Sequence, residues 1–491
     1  MIAMATRAPL AKIFGVDEQI AMLEGLLPVA PARVLLLGHK TEARASILIS
    51  MGYHVSTCAY SQCLEVVQCA TVTRQDIFQI DLPPSDTETA EFDAALVLDF
   101  SPHIHPLALF DQLVHRLTAD AVVVLQGAKF VDESPRMRNW LAHVAAIGGR
   151  VGLSLQKSDA AVVAGSNFWV RILHKVASPR WQIRHVRPSD FEEIAALFHE
   201  VFGHPLSREL WRWKYANGGG NAVVAARNGN LIAHYGGMYR DVMLCGNPDW
   251  VFQICDVMVH PKERGVMTRN GPFLLTAATS AEIYGPLGFG FPNDRHAQLA
   301  EKVGVGKSMG QMAQVRWVPA SSRVRFKTRV KAITRDSSDS QALVDDLWTD
   351  MAKDLRQGVV GFRDWAYLER RYFSHPHNQY DVLLVTSRLT AKPLGVLVLH
   401  RLETSCELMD VVAPLANFGD LIDQARRLTG LWDLKSVYCW ITSNHVQRFL
   451  DCGGVAEELH ISIPNSSWTN DPRAEIFKDR WWLMSGDTDF R

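Results

Sequence analysis

The sequence predicts an α/β protein built from three domains, residues 1–178, 179–330 and 331–491. A length of 491 residues is too great for one core and suggests about three domains. Apolar strand-length runs alternate with helix-length segments from Arg33 to Gln126, which is typical of a parallel sheet covered by helices. After Pro179, short strings recur in the same order about 152 positions later, which predicts two copies of one α/β unit.

Composition and charge argue against several classes of function. The net charge is −1, and the hydrophobic and charged fractions are 47% and 21%, so no nucleic-acid or membrane partner is predicted. No window reaches the roughly 18 apolar residues of a membrane helix, and the N-terminus lacks a signal-peptide pattern. The eight cysteines show no CxxC pair or zinc spacing, so no metal site is predicted. We expect a soluble, cytoplasmic protein with reduced cysteines.

The N-terminal domain is predicted to contain a doubly wound parallel sheet. Its strands are RVLLLG, YHVSTCAY, FDAALVLDF and AVVVLQ, and its helices are TEARASILISMG and LALFDQLVHRL. The following segment, GGRVGLSLQKSDAAVVAGSNFWVRILHKV, predicts two long antiparallel strands that close the sheet.

This order of elements resembles the Rossmann-like class I methyltransferases over roughly residues 20–176, but most of the functional residues of that family are missing. The first loop has only one glycine, Gly38, and the second strand ends without the carboxylate that would bind ribose hydroxyls. Asp99, His103 and His105 follow a later strand and are predicted to be structural loop residues. S-adenosylmethionine (SAM) is therefore not expected to bind, and the domain is predicted to be a degenerate methyltransferase-like scaffold.

The internal repeat rests on three matched strings. WRWKY, with Trp213 and Tyr215, recurs as RDWAY; DVMVHP, which begins at Asp256, recurs as DVVAP from Asp410; and the string around Asn293 recurs about 151 positions later. Each string alone could match by chance, but three in order at a nearly constant offset indicate a duplicated unit.

The first copy has clear local signals. Ser189 or Asp190 is predicted to cap a helix whose apolar positions begin at Phe191. Asn228-Gly229 predicts a hairpin, and VFQICDVMV is a third strand. The helix DRHAQLAEKV ends at Gly304.

This series of elements resembles the GNAT acyltransferases, in which a strand ends at a loop whose amides bind the pyrophosphate of coenzyme A. VMVHPKERG matches the lead into that loop, and unpaired amides at a helix start favour an anion. The resemblance implies acetyl-coenzyme A or another acyl-coenzyme A as the cosubstrate. The implied cofactor-binding residues are Val257, Val259, Arg264, Gly265, Val266, Met267, Thr268, Arg269, Asn270, Gly271 and Asn293.

Candidate catalytic residues lie near the same strand. A carboxylate or imidazole could deprotonate the amine, which points to Asp256 and His260. The backbone amide of Val259 is the predicted oxyanion donor, by the same resemblance. Ala300 replaces the tyrosine that often protonates the departing thiolate in the family. Tyr284, Tyr239 or Tyr215 is the predicted substitute.

The second copy and the acceptor leave alternatives open. Near its helix start the second copy has Asp420 and Asp423 and no Arg-Gly pair, so it is predicted to bind no cofactor and instead to complete a cleft or form a homodimer. The leading function is acyl transfer to a small-molecule or protein amine at the first copy. A non-catalytic scaffold of degenerate domains is the alternative, and a SAM-dependent methyltransferase is a third, weaker one.

Overall fold

A computed structural model describes residues 25–38, 41–59, 68–69, 72–73, 91–100, 104, 106–128, 135–155, 168–176, 179–264, 271–284, 287–320, 327–466 and 473–490. Within these residues the strands are β1 (Arg33–Gly38), β2 (His54–Ala59), β3 (Gln68–Cys69), β4 (Val72–Thr73), β5 (Phe92–Val97), β6 (Leu117–Ala128), β7 (Leu153–Leu155), β8 (Phe168–Lys175), β9 (Gln182–His185), β10 (Gly220–Arg227), β11 (Asn230–Leu244), β12 (Asn247–Val259), β13 (Gly288–Phe289), β14 (Gly306–Trp317), β15 (Thr328–Ala332), β16 (Val359–Gly361), β17 (Asp381–Ser387), β18 (Pro393–Arg401), β19 (Ser405–Val412), β20 (Ser436–Thr442), β21 (Val455–Ser466) and β22 (Trp481–Trp482).

The α-helices of the described residues are α1 (Thr41–Ser50), α2 (Pro106–Val114), α3 (Pro135–Val151), α4 (Phe191–Phe202), α5 (Arg208–Tyr215), α6 (Pro272–Tyr284), α7 (Asp294–Val303), α8 (Ser338–Asp354), α9 (Trp365–Leu368), α10 (Phe418–Leu431), α11 (Val446–Leu450) and α12 (Arg473–Ile476). None of these helices has both the length and the apolar content needed to cross a bilayer.

The chain divides into two compact units. Unit 1 comprises residues 1–65 and 75–185, and unit 2 comprises residues 66–74 and 186–491. In unit 1 the strand order is β2-β1-β5-β6-β8-β7. The first four strands are parallel, and β8 runs antiparallel to both β6 and β7. The apolar alternation from Arg33 to Gln126 therefore corresponds to a parallel sheet, whereas its likeness to methyltransferases remains a prediction.

The start of one predicted strand of unit 1 is helix instead. Gly148 and Gly149 lie in the last turns of α3, and β7 begins only at Leu153. An added Cβ at Gly148 would lie 3.0 Å from the Leu153 carbonyl oxygen, so glycine here allows the helix to pass close to the following strand. The sequence does not distinguish this close approach from a turn, because glycine is common in both.

An ion pair lies at the carboxyl ends of β1 and β5, where the strand order of unit 1 reverses. Arg44 of α1 donates to the Asp99 carboxylate at 2.8 Å, and the Arg44 side chain is 13% exposed. Sheets of this kind bind ligands at this crevice. Arg44 and Asp99, the two charged groups shown at this crevice by the described residues, are paired with each other. His103 and His105 lie outside the described residues.

Unit 2 contains two sheets whose strands cross the predicted boundary at residue 330. The first sheet runs β13-β12-β11-β10 and is extended from β11 by β16 and β22, and the second runs β15-β17-β18-β19-β20-β14-β21. Strand β14, expected in the domain 179–330, pairs with β20 and β21, and β16, expected in the domain 331–491, pairs with β11. Residue 330 therefore does not divide two separate bodies. Strand patterns predict that a segment is extended, but not which sheet it joins.

Local signals in the first sheet are confirmed with one exception. Asn228 and Gly229 both have positive φ, 53° and 83°, in the hairpin between β10 and β11, and Gly304 ends α7 with φ 79°. Asp190 does precede α4, but its carboxylate accepts from the backbone N–H of Arg187 rather than from a helix amide. A short 3-10 turn, Pro188–Asp190, separates the strand from the helix, and the Asp190 carboxylate bonds to the residue before this turn instead of capping α4.

The largest core of unit 2 lies on the second sheet. Leucines and valines of β18, β19 and α10 pack there with Trp348 and Phe449, and most are fully buried. Burying one such side chain stabilises the fold by about 1.5–3 kcal/mol relative to leaving it exposed. A second cluster joins Val242 and Val251 of the first sheet to Trp440 and Trp481. The two sheets of unit 2 therefore share apolar contacts.

The ion pair in unit 1 yields a first prediction. Adding SAM at millimolar concentration to the full chain should not raise the melting temperature, because a ligand stabilises a protein only when it binds the folded state, and Arg44 and Asp99 already neutralise each other at the crevice. Thermal-shift measurement tests this. A saturable rise in melting temperature would show that the domain binds the nucleotide.

Candidate active site

Strand β12 has an edge that is only partly paired. It pairs with β13 at two positions, Phe252 with Gly288 and Gln253 with Phe289, although β12 runs on to Val259. Among the described residues no strand pairs with this edge beyond Gln253. We call residues 254–259, on the side of β12 away from β11, the open edge.

The direction of the backbone places two amides at the open edge. The His260 N–H donates to the Ile232 carbonyl on β11. Because successive residues of a strand alternate in the direction of their polar groups, the N–H and C=O groups of Val257 and Val259 face the open edge. The Arg264 Nε donates to the Val259 carbonyl at 2.9 Å, so the Arg264 guanidinium also lies there.

The structure describes the residues on both sides of the predicted phosphate loop, but not the loop itself. Gly265, Val266, Met267, Thr268, Arg269 and Asn270 lie outside the described residues. Gly271 is buried, and α6 begins at Pro272, as the rule that proline is tolerated at a first helical turn predicts. The open edge, Arg264, the loop and the start of a 13-residue helix therefore follow one another along the chain.

Asp256 is buried beside the open edge in a cluster of charged and polar groups. Its side chain is 6% exposed, and its carboxylate accepts from Lys214 Nζ at 2.8 Å and from the Tyr215 hydroxyl at 2.7 Å. The same Lys214 amine contacts the Asp489 carboxylate at 2.9 Å. A residue predicted as a catalytic base is therefore part of a buried ion cluster.

The neighbouring charges in this cluster keep both Asp256 and Lys214 ionised. Burial alone would raise the pKa of the Asp256 carboxyl, but the charge and hydrogen bond of Lys214 outweigh burial and lower it. Burial likewise disfavours charge on Lys214, but Asp256 and Asp489 raise its pKa well above the usual value. Asp256 is thus an anion with little basicity at neutral pH. The geometry favours an orienting role for it over that of a proton acceptor.

His234 of β11 also contacts Asp256, through the backbone. Its Nδ1 lies 2.8 Å from the Asp256 carbonyl oxygen, which accepts only, so Nδ1 carries the proton. Burial lowers the pKa of His234, and the ring is neutral. Its Nε2 is buried and has no hydrogen-bond partner among the described residues. The sequence places His234 near the strand end but does not reveal this contact.

The other predicted catalytic and binding residues have separate surroundings. His260 Nε2 lies 3.0 Å from the Glu200 carboxylate, and its Nδ1 accepts from the Lys262 N–H at 3.3 Å, so both ring nitrogens are engaged. Tyr284 is buried, with its ring against Tyr239 and Phe252. The Asn293 side chain caps α7 by accepting from the His296 N–H at 3.0 Å. The assignment of these residues to catalysis or cofactor binding stays a prediction.

Ala300 packs against the same apolar cluster as Tyr235, a tyrosine other than the predicted Tyr284. Leu274 and Ala277 of α6 form the buried part of this cluster with Val305, and Tyr235, Phe273 and Ala300 pack against it. The Tyr235 ring centroid is 6.3 Å from that of Phe273 in the first turn of α6. Burial raises the pKa of the Tyr235 phenol, which keeps it protonated. Because Tyr235 is opposite the irregular part of β12, the fold brings a phenol to the region where position 300 lacks one.

A second arginine, Arg295, acts with Arg264 on the same histidine. Burial, followed by the charges of Arg264 and Arg295, lowers the pKa of His296, so both guanidinium groups lie close enough to this ring to disfavour its charged form. Two permanently charged side chains at this point favour an anion. A signal exists in the sequence, since Arg295 and His296 follow the helix cap Asn293 directly, but it does not reveal their nearness to Arg264.

One group of potential metal ligands occurs among the described residues. Ligand atoms of Cys255, Asp256 and Asp489 lie within 4.8 Å of one another. The Lys214 amine contacts both carboxylates and already supplies the positive charge. We therefore assign no metal to this group.

The second sheet has a comparable opening, but the chain itself fills it. Strands β19 and β20 pair from Ser405 to Glu407 and diverge beyond. There the Thr442 N–H donates to the Leu483 carbonyl, and the Trp440 N–H donates to the Ser485 hydroxyl. On the β19 side, an added Cβ on Gly486 would lie 2.9 Å from the Met409 carbonyl oxygen. The segment Leu483–Gly486 thus lies between the two strands.

Comparison with known proteins agrees with the first sheet's motif. Residues 182–269 match the family model described as Acetyltransferase (GNAT) domain. This stretch is similar to a GNAT domain. It contains β9 to β12 and ends within the predicted phosphate loop. No curated protein sequence matches the chain.

Three solved structures resemble the chain at low similarity. A conserved protein of Enterococcus faecalis, described as a probable N-acyltransferase, has a TM-score of 0.47 and 11% identity and covers 60% of this chain and 74% of its own. GCN5-related N-acetyltransferases of Anabaena variabilis and Kribbella flavida each have a TM-score of 0.42 and 13% identity. Each covers 58% of this chain, and 71% and 69% of its own chain respectively.

The buried cluster yields a second prediction. Asp256→Asn should lower the free energy of unfolding by about 3 kcal/mol, at the low end for a broken buried ion pair because Asp489 still pairs with Lys214. Asp381→Asn, which breaks an ion pair with the half-exposed Arg401, is the control and should cost about 0–1 kcal/mol. Denaturant unfolding measures both.

The pH dependence of that difference follows from the direction of the pKa shift. The pKa of Asp256 is lowered on folding, so its stabilisation is present above the pKa of an unfolded aspartate, about 3.9. The stabilisation is lost as the pH falls through the folded-state pKa. The difference between wild type and Asp256→Asn should therefore vanish on acidification. Equal costs for the two variants at neutral pH would contradict the buried pairing.

Proposed function

We propose that the protein is an acyl-coenzyme A-dependent N-acyltransferase, with acetyl as the default group, acting at the open edge of β12. The observation that carries the proposal is the continuity of this edge with Arg264, the glycine loop and the start of α6, within a stretch similar to a GNAT domain. Arg264 and Arg295 supply positive charge for the phosphates. The acceptor is a primary amine of a small molecule or protein.

The proposed reaction uses the backbone more than charged side chains. The amine, bound without its extra proton, attacks the thioester carbonyl, and the carbon–sulfur bond breaks as the amide forms. Amides of Val257 and Val259 stabilise the negative oxygen that develops in between, which is often the largest electrostatic contribution to such reactions. The departing thiolate takes a proton from the Tyr235 phenol, and the tyrosinate then regains a proton from water. The proton lost by the amine passes to water.

One site per chain is proposed. The opening of the second sheet is filled by Leu483–Gly486, and its helix α10 begins with Asp420 in the first turn, which disfavours a phosphate. The second copy of the unit then acts as support for the first.

A scaffold without catalysis is the second candidate. The absence of a tyrosine at position 300 favours it, as does the ion cluster that engages Asp256. Isothermal titration of the full chain with coenzyme A and acetyl-coenzyme A separates the two functions. Binding followed by acetylation of an amine in a mass-spectrometric acceptor screen supports the enzyme, whereas a chain that binds neither nucleotide would be a scaffold.

The third prediction compares two arginines in similar local settings. Each donates its Nε to a backbone carbonyl, Arg264 to Val259 and Arg426 to Val318. Arg264→Glu should weaken coenzyme A binding by about a hundredfold or more, because it removes a charge-assisted contact of roughly 1.5–3 kcal/mol and adds repulsion. Arg426→Glu is the matched control and should leave the dissociation constant unchanged. Equal losses in the two folded variants would mean that the cofactor does not bind at the open edge alone.

The fourth prediction concerns the proton donor. Tyr235→Phe should lower kcat for acyl transfer about a hundredfold, since a positioned general acid contributes at least that factor, while coenzyme A affinity is retained. Ala300→Tyr added to this variant should restore part of the rate, because both side chains belong to one cluster. Tyr438→Phe on β20 serves as the control. If Tyr284→Phe loses the rate and Tyr235→Phe does not, the acid is Tyr284.

A further inference from the structure

Strand β12 is irregular at Asp256. Its pairing with β11 shifts between His234, which faces Met258, and Gly236, which faces Cys255. The extra residue forms a bulge, and Asp256 has a φ of +50°. A non-glycine residue in this left-handed region persists when its surroundings hold it there. The bulge also sets the direction of the following amides, Val257 and Val259, which face the open edge.

Three neighbours hold the Asp256 residue. Lys214 and the Tyr215 hydroxyl donate hydrogen bonds to its carboxylate at 2.8 and 2.7 Å. His234 donates to its carbonyl oxygen at 2.8 Å. Lys214 and Tyr215 are adjacent at the end of α5. The bulge is therefore fixed from outside its own sheet by one helix end and from inside by β11.

Lys214 depends in turn on a residue far away in the chain. Its side chain is 3% exposed, and a buried ammonium needs carboxylate partners to remain charged. The second partner is Asp489, 275 positions later. Asp489 comes three residues after Gly486, the end of the part of the chain that fills the opening of the second sheet. We call Leu483–Asp489 the 483–489 segment.

The second sheet contains a parallel arrangement of the same groups. Arg363 is fully buried and donates to Asp410 at 2.9 Å and to Asp487 at 2.5 Å, and the Tyr367 hydroxyl donates to Asp410 at 2.9 Å. A buried cation thus joins a strand carboxylate to a carboxylate of the 483–489 segment in both sheets. The recurrence indicates that Asp489 belongs to a built arrangement rather than a chance contact.

We infer that Asp489 is a positioning residue for acyl transfer, which rests on the function proposed above. Asp489 holds Lys214 against Asp256, and Lys214 keeps the bulge in the conformation that directs the Val257 and Val259 amides toward the thioester oxygen. The 483–489 segment thereby has two roles. It occupies the opening of the second sheet and supports the amide geometry of the first.

The test measures the carbonyl itself and needs no acceptor. The probe is acetyl-dethia-coenzyme A, a ketone with a methylene in place of the thioester sulfur and carbon-13 at the carbonyl. Hydrogen bonds to this oxygen lower its infrared stretching frequency. In Asp489→Asn the frequency of the bound ketone should move to a higher wavenumber than in wild type, while the affinity for coenzyme A, which has no carbonyl at this position, is unchanged.

Control and companion variants make the result specific. Glu475→Gln removes an exposed carboxylate that pairs with Lys307, and it should leave the frequency as in wild type. Tyr215→Phe removes one hold on Asp256 without leaving an unpaired charge, so it tests the same point if Asp489→Asn fails to fold. It should give a shift of the same sign. Once an acceptor is known, kcat should fall about tenfold or more in Asp489→Asn, while KM for acyl-coenzyme A should be unchanged. The reason is that loss of one oxyanion donor lowers kcat by up to about 10²–10³.

The outcomes separate this inference from the proposed function. If wild type binds the ketone and a folded Asp489→Asn gives the same frequency, Asp489 has only a structural role and the inference is overturned. The inference is likewise overturned if only Tyr215→Phe folds and its frequency matches wild type. If wild type binds neither coenzyme A nor the ketone, the proposed function fails and the inference fails with it.

Discussion

Two buried cations, Lys214 and Arg363, impose the constraint on which the arrangement of unit 2 depends. A charge removed from water needs partners of opposite sign within hydrogen-bonding distance. Each cation has one carboxylate from a central strand and one from the 483–489 segment. This requirement fixes a segment distant in sequence to both sheets. Strand β14 pairs in the second sheet, and its Met309 and Met312 pack in one cluster with Val242 and Val251 of the first sheet.

The same constraint accounts for the difference between the two openings. The 483–489 segment accepts hydrogen bonds from the Trp440 and Thr442 N–H groups of β20 and passes close to β19, so the opening of the second sheet is filled by protein. The edge of β12 beyond Gln253 has no such strand among the described residues. The two sheets of unit 2 have similar Tyr–Asp pairs, Tyr215 with Asp256 and Tyr367 with Asp410, and differ in what lies at the strand end.

Much of the local structure could be predicted from the sequence, because its causes are local. The hairpin at Asn228 and Gly229, the start of α6 at Pro272 and the end of α7 at Gly304 all depend on backbone preferences of single residues. The stretch around Arg264 also carried enough pattern to suggest a GNAT-like unit, and residues 182–269 match that domain.

What the sequence could not supply depends on contacts between distant residues. Asp489 follows a region without a motif, and only the fold places it 2.9 Å from Lys214. His260 was predicted from its position at a strand end, but Glu200 of α4 engages its ring. Tyr235 and Ala300 are 65 positions apart in sequence, and only the fold packs both against the cluster of Leu274, Ala277 and Val305. The sequence also does not reveal that β16 pairs with β11 and β14 with β20 across residue 330, because these pairings too join distant residues.

The central claim is that one acyl-coenzyme A binds each chain at the open edge of β12. A crystal structure of the full chain grown with acetyl-dethia-coenzyme A tests it most directly. The account predicts one ligand, with its ketone oxygen within hydrogen-bonding distance of the Val257 or Val259 amide and its pyrophosphate at the start of α6. A ligand found between β19 and β20 with the 483–489 segment displaced, or in unit 1, would contradict it.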